Sequence, residues 1–234
     1  MSLWSRWFPG TPRLDPEAAR RLAAWQALTP ASEPVRLDRH RFVVMDVETT
    51  GLSLARDHLI AIGAVAVKDG WIDLDDSFEV VLQQETSSAR DNILIHGIGG
   101  TAQVGGIAPV EALLQFLEYL GRDPLIAFHV TFDETMTRRA LKRNLGLNFR
   151  HTWLDLAYVA PGLYPELARK YHALDDWVEH FHIHNFARHS ALADSLATAQ
   201  LFLVTMRTAR QKNIEDLKDL IELEKAQRWV SRTD

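Results

Sequence analysis

Three groups of residues carry side chains that could do chemistry together. The first is Asp46-Val47-Glu48, which follows the apolar run Phe42-Val43-Val44-Met45. Strand side chains alternate between faces, so Asp46 and Glu48 share one surface while Val47 turns toward a core. Adjacent carboxylates repel each other and stay ionised at low cost only with a cation between them. Hard divalent ions are the natural partners for such oxygens. Gly51 breaks the strand immediately afterwards, so the stretch equally permits an ordinary strand-end turn.

The second group is Phe132-Asp133, just past the short apolar run Leu125–Phe128 and at the start of a helical pattern. Sites in open α/β sheets assemble at the carboxyl ends of strands. Taken alone, Asp133 could equally serve only the helix dipole. The third is His189-Ser190-Ala191-Leu192-Ala193-Asp194. Five helical residues turn the chain by ~500°, so His189 and Asp194 face apart if both are helical. They converge only if His189 sits in the preceding loop and Asp194 on the first turns. A surface histidine and a solvated aspartate are the plain alternative.

Two other clusters weigh less. His180, His182 and His184 alternate with Phe181 and Ile183, which on an extended segment would gather three imidazoles on one face, as a transition metal requires. No neighbouring carboxylate or cysteine closes such a site, and the segment reads as a lead into the third group. Arg138, Arg139, Lys142, Arg143 and Arg150 form one broad basic face that could meet a phosphate backbone, although a solvated helix face is commoner.

The elements that must position these residues follow from periodicity. Strands are predicted from Phe42 to Val47, from Leu59 to Lys68, and from Trp71 resuming through Leu82, with Asp69-Gly70 as a hairpin turn. Short links make these three an antiparallel meander. Helical spacing covers Pro109–Leu120, Phe132–Leu145, about Leu163–Lys170, Leu174–His180, Ala191 to about Arg210, and Ile214–Val230. Short buried strands fall at Leu125–Phe128 and Trp153–Leu156. Asp15-Pro16-Glu17 opens a further helix in a leading appendage, where Trp4, Trp7 and Phe8 are expected to pack on the chain's own core. The plan is α/β, with a mixed sheet and helices on both faces.

In this order and spacing, over about residues 41–206, the three groups resemble those of the DEDDh 3'-5' exonucleases. That family includes the epsilon proofreading subunit of bacterial DNA polymerase III, ribonuclease T and oligoribonuclease. Asp46-Val47-Glu48-Thr49-Thr50-Gly51-Leu52 is similar to the first motif, Phe132-Asp133 to the second and His189 through Asp194 to the third. Ile95-His96-Gly97-Ile98 and Trp153-Leu154-Asp155-Leu156-Ala157 resemble secondary segments, and Asp155 matches a family aspartate outside the four metal carboxylates. The resemblance implies a ribonuclease H-like five-stranded sheet, an antiparallel meander plus parallel strands, and two divalent cations, Mg2+ or Mn2+. Asp46 would bridge both ions, Glu48 and Asp194 would complete one site, and Asp133 would help hold the second. His189 would accept the proton of the attacking water, a role suited to a reference pKa of about 6.5. Thr49, Thr50, Gly51 and Leu52 would contact the terminal nucleotide, with Leu52 against the base and His96 lining the same pocket. The chain departs from the family before Phe132: Phe128 stands for its usual histidine and His129 for its asparagine, so His129 is the substrate contact there, altered in kind.

Composition bounds the rest. With 234 residues, 47% hydrophobic and 24% charged, the chain can build a sizeable core. It has no cysteine, which removes disulfides and thiol chemistry. With no signal-like start and no span-length apolar run, it is expected to be cytoplasmic, with no membrane partner. The net charge is -5, but residues 1–40 and 207–234 carry a small positive excess while the middle is acidic, as carboxylates gathered around metal ions would make it. The division expected is a helical extension and linker at 1–40, an exonuclease domain at 41–206 and a helical extension at 207–234. The amphipathic spacing of the last segment permits docking to a DNA polymerase, pairing as a homodimer or packing back on the core. The expected function is two-metal hydrolysis at single-stranded 3' ends, DNA rather than RNA, releasing nucleoside 5'-monophosphates. The alternatives are a ribonuclease of the same family acting on short RNA, or a non-catalytic module that binds a polymerase or nucleic acid.

Overall fold

The structure is a computed structural model that describes residues 12–30 and 34–231; Trp4, Trp7 and Phe8 lie outside the described residues. The strands are β1 (Phe42–Thr49), β2 (Leu59–Lys68), β3 (Trp71–Val81), β4 (Leu125–Ala127) and β5 (Trp153–Asp155). The helices are α1 (Pro16–Ala27), α2 (Arg90–His96), α3 (Gly100–Val104), α4 (Pro109–Leu120), α5 (Val130–Leu145), α6 (Leu156–Leu163), α7 (Leu174–His180), α8 (Ala191–Gln211) and α9 (Leu217–Val230). One five-stranded sheet runs β3-β2-β1-β4-β5. The meander β1, β2, β3 is antiparallel, joined at Asp69-Gly70, where both residues have positive φ. β4 and β5 extend the sheet in parallel.

Alternation along β1 divides the core in two. Val43, Met45 and Val47 join a cluster with residues of α1, α4 and α5. Phe42 and Val44 join another with residues of α6, α7, α8 and α9. β2 is buried throughout except Lys68, as a strand covered on both faces must be. Asp46 and Glu48 continue the parity of Phe42 and Val44, so the acidic pair belongs to the α8 side.

Several boundaries differ from the sequence reading. The helix expected from Phe132 starts at Val130, because the Asp155 carboxylate accepts the His129 and Val130 amides and satisfies its first turn from outside. The helix expected near 163–170 is instead α6, about two turns earlier, capped by Asp155 and carrying Pro161 within it; residues 165–170 form turns. Pro161 sits within this short helix, where it removes one backbone donor. α9 starts at Leu217, where Asp216 accepts the Asp219 amide. Two short helices in polar, glycine-rich sequence, α2 and α3, had no periodicity to reveal them.

Both extensions pack on the sheet domain. Leu22 and Trp25 of α1 enter the first cluster, the Trp25 indole donates to Gly121 O, and Arg21 pairs with Glu111 and Glu118. The linker bridges at Arg36 to Asp216, with Leu37 N donating to Glu215 O and Leu217 N to Val35 O. No helix among the described residues is long and apolar enough to cross a membrane.

Candidate active site

β1 presents Asp46 and Glu48, and α8 brings Asp194 to them. Carboxylate oxygens of the three lie within 4.8 Å of one another. The approach depends on Gly63, which pairs with Asp46 across β1 and β2. A Cβ on Gly63 would come 2.2 Å from the Ala191 carbonyl carbon and the Leu192 nitrogen, so only glycine lets the helix start lie on the sheet there. Ser195 fastens the contact, its hydroxyl 2.8 Å from Gly63 O.

Asp133 is buried on the first turns of α5 and is not one of the three carboxylates within 4.8 Å. The Val47 amide of β1 favours its charged form, and its own charge is felt by Asp46. Burial pushes Asp46 well above the usual carboxylate range, and Asp133, Asp194 and Glu48 push it further. Burial likewise lifts Glu48 to about 8, Asp194 adding to the rise and Arg188 opposing it. Asp133 is raised chiefly by burial, against its backbone hydrogen bonds. Such a group gives up its protons readily only to a positive charge, and hard oxygen donors suit a divalent cation. The donor set therefore fits the ions that the sequence implied.

His189 sits in the loop before α8 with φ of 64°, and its amide donates to Asp194 Oδ2 at 3.0 Å. This left-handed residue, costing on the order of 1–3 kcal/mol, breaks the helical phase that would have turned it away from Asp194. Its ring is exposed. Arg188 reaches the same oxygen, Nη1 to Asp194 Oδ2 at 2.7 Å, while its other nitrogens grip Asp175 of α7 at 2.6 and 3.1 Å. The Asn185 amide bonds the other Asp194 oxygen.

The loop after β1 is built around Asp57. Its carboxylate accepts the Thr50 hydroxyl at 2.9 Å and the Ser53 amide at 2.7 Å, and a Cβ on Gly51 would strike it. Thr49 Oγ1 donates to Gly51 O, and the Thr50 hydroxyl also accepts the His58 amide. Arg139 of α5 donates to the carbonyls of Leu54, Ala55 and Asp57. Leu52 stands at the tip, 87% exposed.

The other candidates fall as follows. The His96 ring is buried, its Nδ1 accepting the Ile98 amide and its Nε2 facing Ser88 Oγ. His129 caps α5 with φ of 66° and lies edge-on to Phe128. His180 ends α7 and His182 has φ of 54°, so the three imidazoles do not alternate along an extended strand. Arg138 pairs with Glu134 and Arg139 is committed to the loop, while Lys142 and Arg143 line a cleft of about 880 Å³ beside Thr50, Asp57 and His58. Sequence reasoning missed Gly63, Asp57 and Arg188. A glycine inside an otherwise apolar strand was the available signal for the first.

A mixed sheet in this order, with carboxylates carried by its central strand and by two helices, defines the ribonuclease H-like class. A family model described as Exonuclease matches residues 43–202, and the chain belongs to that family, of the DEDDh 3'-5' type. It is 32% identical over 187 residues to the PolC-type DNA polymerase III of Thermotoga petrophila, covering 77% of this chain and 13% of that protein. The PolC-type polymerase of Bacillus subtilis is also 32% identical, over 80% of this chain and 13% of its own length. The chain thus spans about an eighth of the length of these curated relatives. Among solved structures, E. coli exonuclease I in complex with a dT13 oligonucleotide shares the fold, with TM-score 0.61 and 20% identity over 75% of this chain and 43% of that one. Cell-death related nuclease 4 does so with TM-score 0.64 and 14% identity, over 73% and 64%.

Proposed function

We propose that the chain hydrolyses phosphodiester bonds at single-stranded 3' ends, one nucleoside 5'-monophosphate at a time, with two divalent cations held by Asp46, Glu48, Asp133 and Asp194. The observation that carries this reading is the convergence of three carboxylates within 4.8 Å beside a loop histidine whose amide is tied to one of them. Bound cations would neutralise the carboxylates and stabilise the attacking and leaving oxygens of an in-line displacement. His189 takes the proton of the attacking water; the new P–O bond forms as the bond to the 3' oxygen breaks, and that oxygen takes up a proton from solvent to leave as the hydroxyl of the shortened strand. Positive φ leaves the His189 ring free of the helix and open to solvent, as a general base must be before substrate arrives. The Asp57-centred loop presents Leu52 to the terminal base, with Thr49 and Gly51 beneath it. His96 and His129 act from the flanking segments.

DNA is the favoured substrate, because the relatives at 30% identity and above are named as DNA polymerases. The boundary at 40/41 belongs to the same proposal; the one expected at 206/207 falls within α8, which carries the exonuclease domain on to Gln211, and the extensions act as its packed supports. Digestion of 3'- and 5'-labelled single-stranded DNA and RNA with Mg2+, Mn2+ or EDTA tests it. Metal-dependent shortening from the 3' end alone, abolished in Asp46→Ala, is expected; a folded chain inert with both metals would overturn it in favour of a binding module.

A further inference from the structure

The last described helix reaches the active site through a buried relay. Arg228 of α9 donates to Asp155 Oδ2 at 2.8 Å and to Glu224 Oε1 at 2.7 Å, with its guanidinium 4.2 Å over the Tyr158 ring. Glu224 in turn accepts the Asp155 amide at 3.0 Å. Asp155 is 1% exposed at the end of β5, and it spends its oxygens on other helices' first amides. It accepts His129 N at 2.9 Å and Val130 N at 3.1 Å, the start of α5, and also Ala157 N of α6. The α5 cap residue, His129, contributes no side-chain bond of its own, so this borrowed carboxylate is what satisfies the helix start. Asp133 lies one turn along α5.

We infer that Arg228 and Glu224 are positioning residues of the active site, holding Asp155, which fixes the first turn of α5 and with it the Asp133 carboxylate. A buried carboxylate keeps its charge and its accepting geometry only with a partner in place. Arg228 supplies that partner from a segment outside the family match at 43–202. The consequence for catalysis rests on the two-cation reading above, and the linkage itself does not.

The test uses the whole chain, wild type and as Arg228→Gln, Arg228→Lys and Leu220→Ala, the last removing a fully buried α9 side chain outside the relay. Amide exchange over residues 129–136 and calorimetric Mn2+ binding without nucleic acid are read beside melting temperature. Arg228→Gln should speed exchange at the α5 start and weaken Mn2+ binding about tenfold or more, the usual effect of losing a support behind a ligand. Arg228→Lys, which restores charge at Asp155 and folds if the glutamine variant does not, should recover part of both. Leu220→Ala should lower the melting temperature and leave both unchanged. Unchanged exchange at 129–136 in both Arg228 variants overturns the inference, as does a lower melting temperature with Mn2+ affinity intact. Wild type that takes up no Mn2+ would overturn the two-cation reading instead, and exchange alone would then decide the relay.

Discussion

Gly63 stands opposite Asp46 in the β1/β2 register, and the first turn of α8 lies directly on it. One missing side chain therefore sets the distance between the acidic strand and the helix that carries Asp194. Gly63→Ala would force backbone against Cβ, a contact that no rotamer can relieve. Overpacking of cores costs about 1–3 kcal/mol, and more where backbone must move. Urea unfolding should show at least that loss, with turnover falling further because Asp194 retreats from Asp46; unaltered turnover would mean that the site tolerates the displacement.

Asp46→Asn separates stability from function. The wild-type carboxylate is half-buried and crowded by Asp133, Asp194 and Glu48; desolvation first, then these charges, raise its pKa. Neutralising it should raise the melting temperature in EDTA while abolishing hydrolysis, the trade expected where a site is strained for activity.

Stability of the metal-free chain should fall as pH rises. Glu48 is lifted to about 8 in the folded chain, against an unfolded value near 4.3. A raised carboxylate contributes stability below its unfolded value, and that contribution is lost as pH climbs toward the folded one. Urea midpoints in EDTA should therefore decline between about pH 5 and 8. Saturating Mn2+ should reduce or reverse the decline, since the ion favours the ionised form. A midpoint that climbs with pH in EDTA would contradict the crowding seen in the site.

His189→Asn keeps a residue tolerant of positive φ at the position where φ is 64°. Loss of a general base typically costs about 10²–10⁴-fold in rate. Turnover should drop within that range with Mn2+ binding little changed; parallel loss of Mn2+ affinity would make His189 a support for Asp194 rather than a proton acceptor.

Arg139→Ala removes the donor that ties together the Leu54, Ala55 and Asp57 carbonyls. The loop carrying Leu52 should loosen, raising KM for short oligonucleotides more than it lowers kcat. An equal fall in kcat alone would assign Arg139 to the reaction itself.

Much of the frame was readable in the sequence. Alternation placed Asp46 and Glu48 on one face, and apolar runs located five strands, because both signals are local. Helical phase required His189 in the loop if it was to meet Asp194, and the family resemblance, not the phase, favoured that meeting over a surface histidine. The start of α5 was not, because its cap comes from Asp155, far along the chain and on another strand. Arg188 was hidden for a similar reason: its bond to Asp175 joins the loop before α8 to α7, an approach that no periodicity reveals. The helix expected near Leu163–Lys170 was misplaced, because the cap that starts α6 at Leu156 is Asp155 at the end of β5.

The bridge between Arg36 and Asp216 joins segments separated by most of the chain. Ring closure over so long a contour is entropically costly, and little is gained until both ends are already in place. The linker before β1 and the entry to α9 therefore share one fastening, whereas α1 is held separately through Trp25 and Arg21. A substitution near Arg36 should therefore loosen the entry to α9 at Asp216, while the later turns stay held by Leu220 in the core and by Arg228 on Asp155.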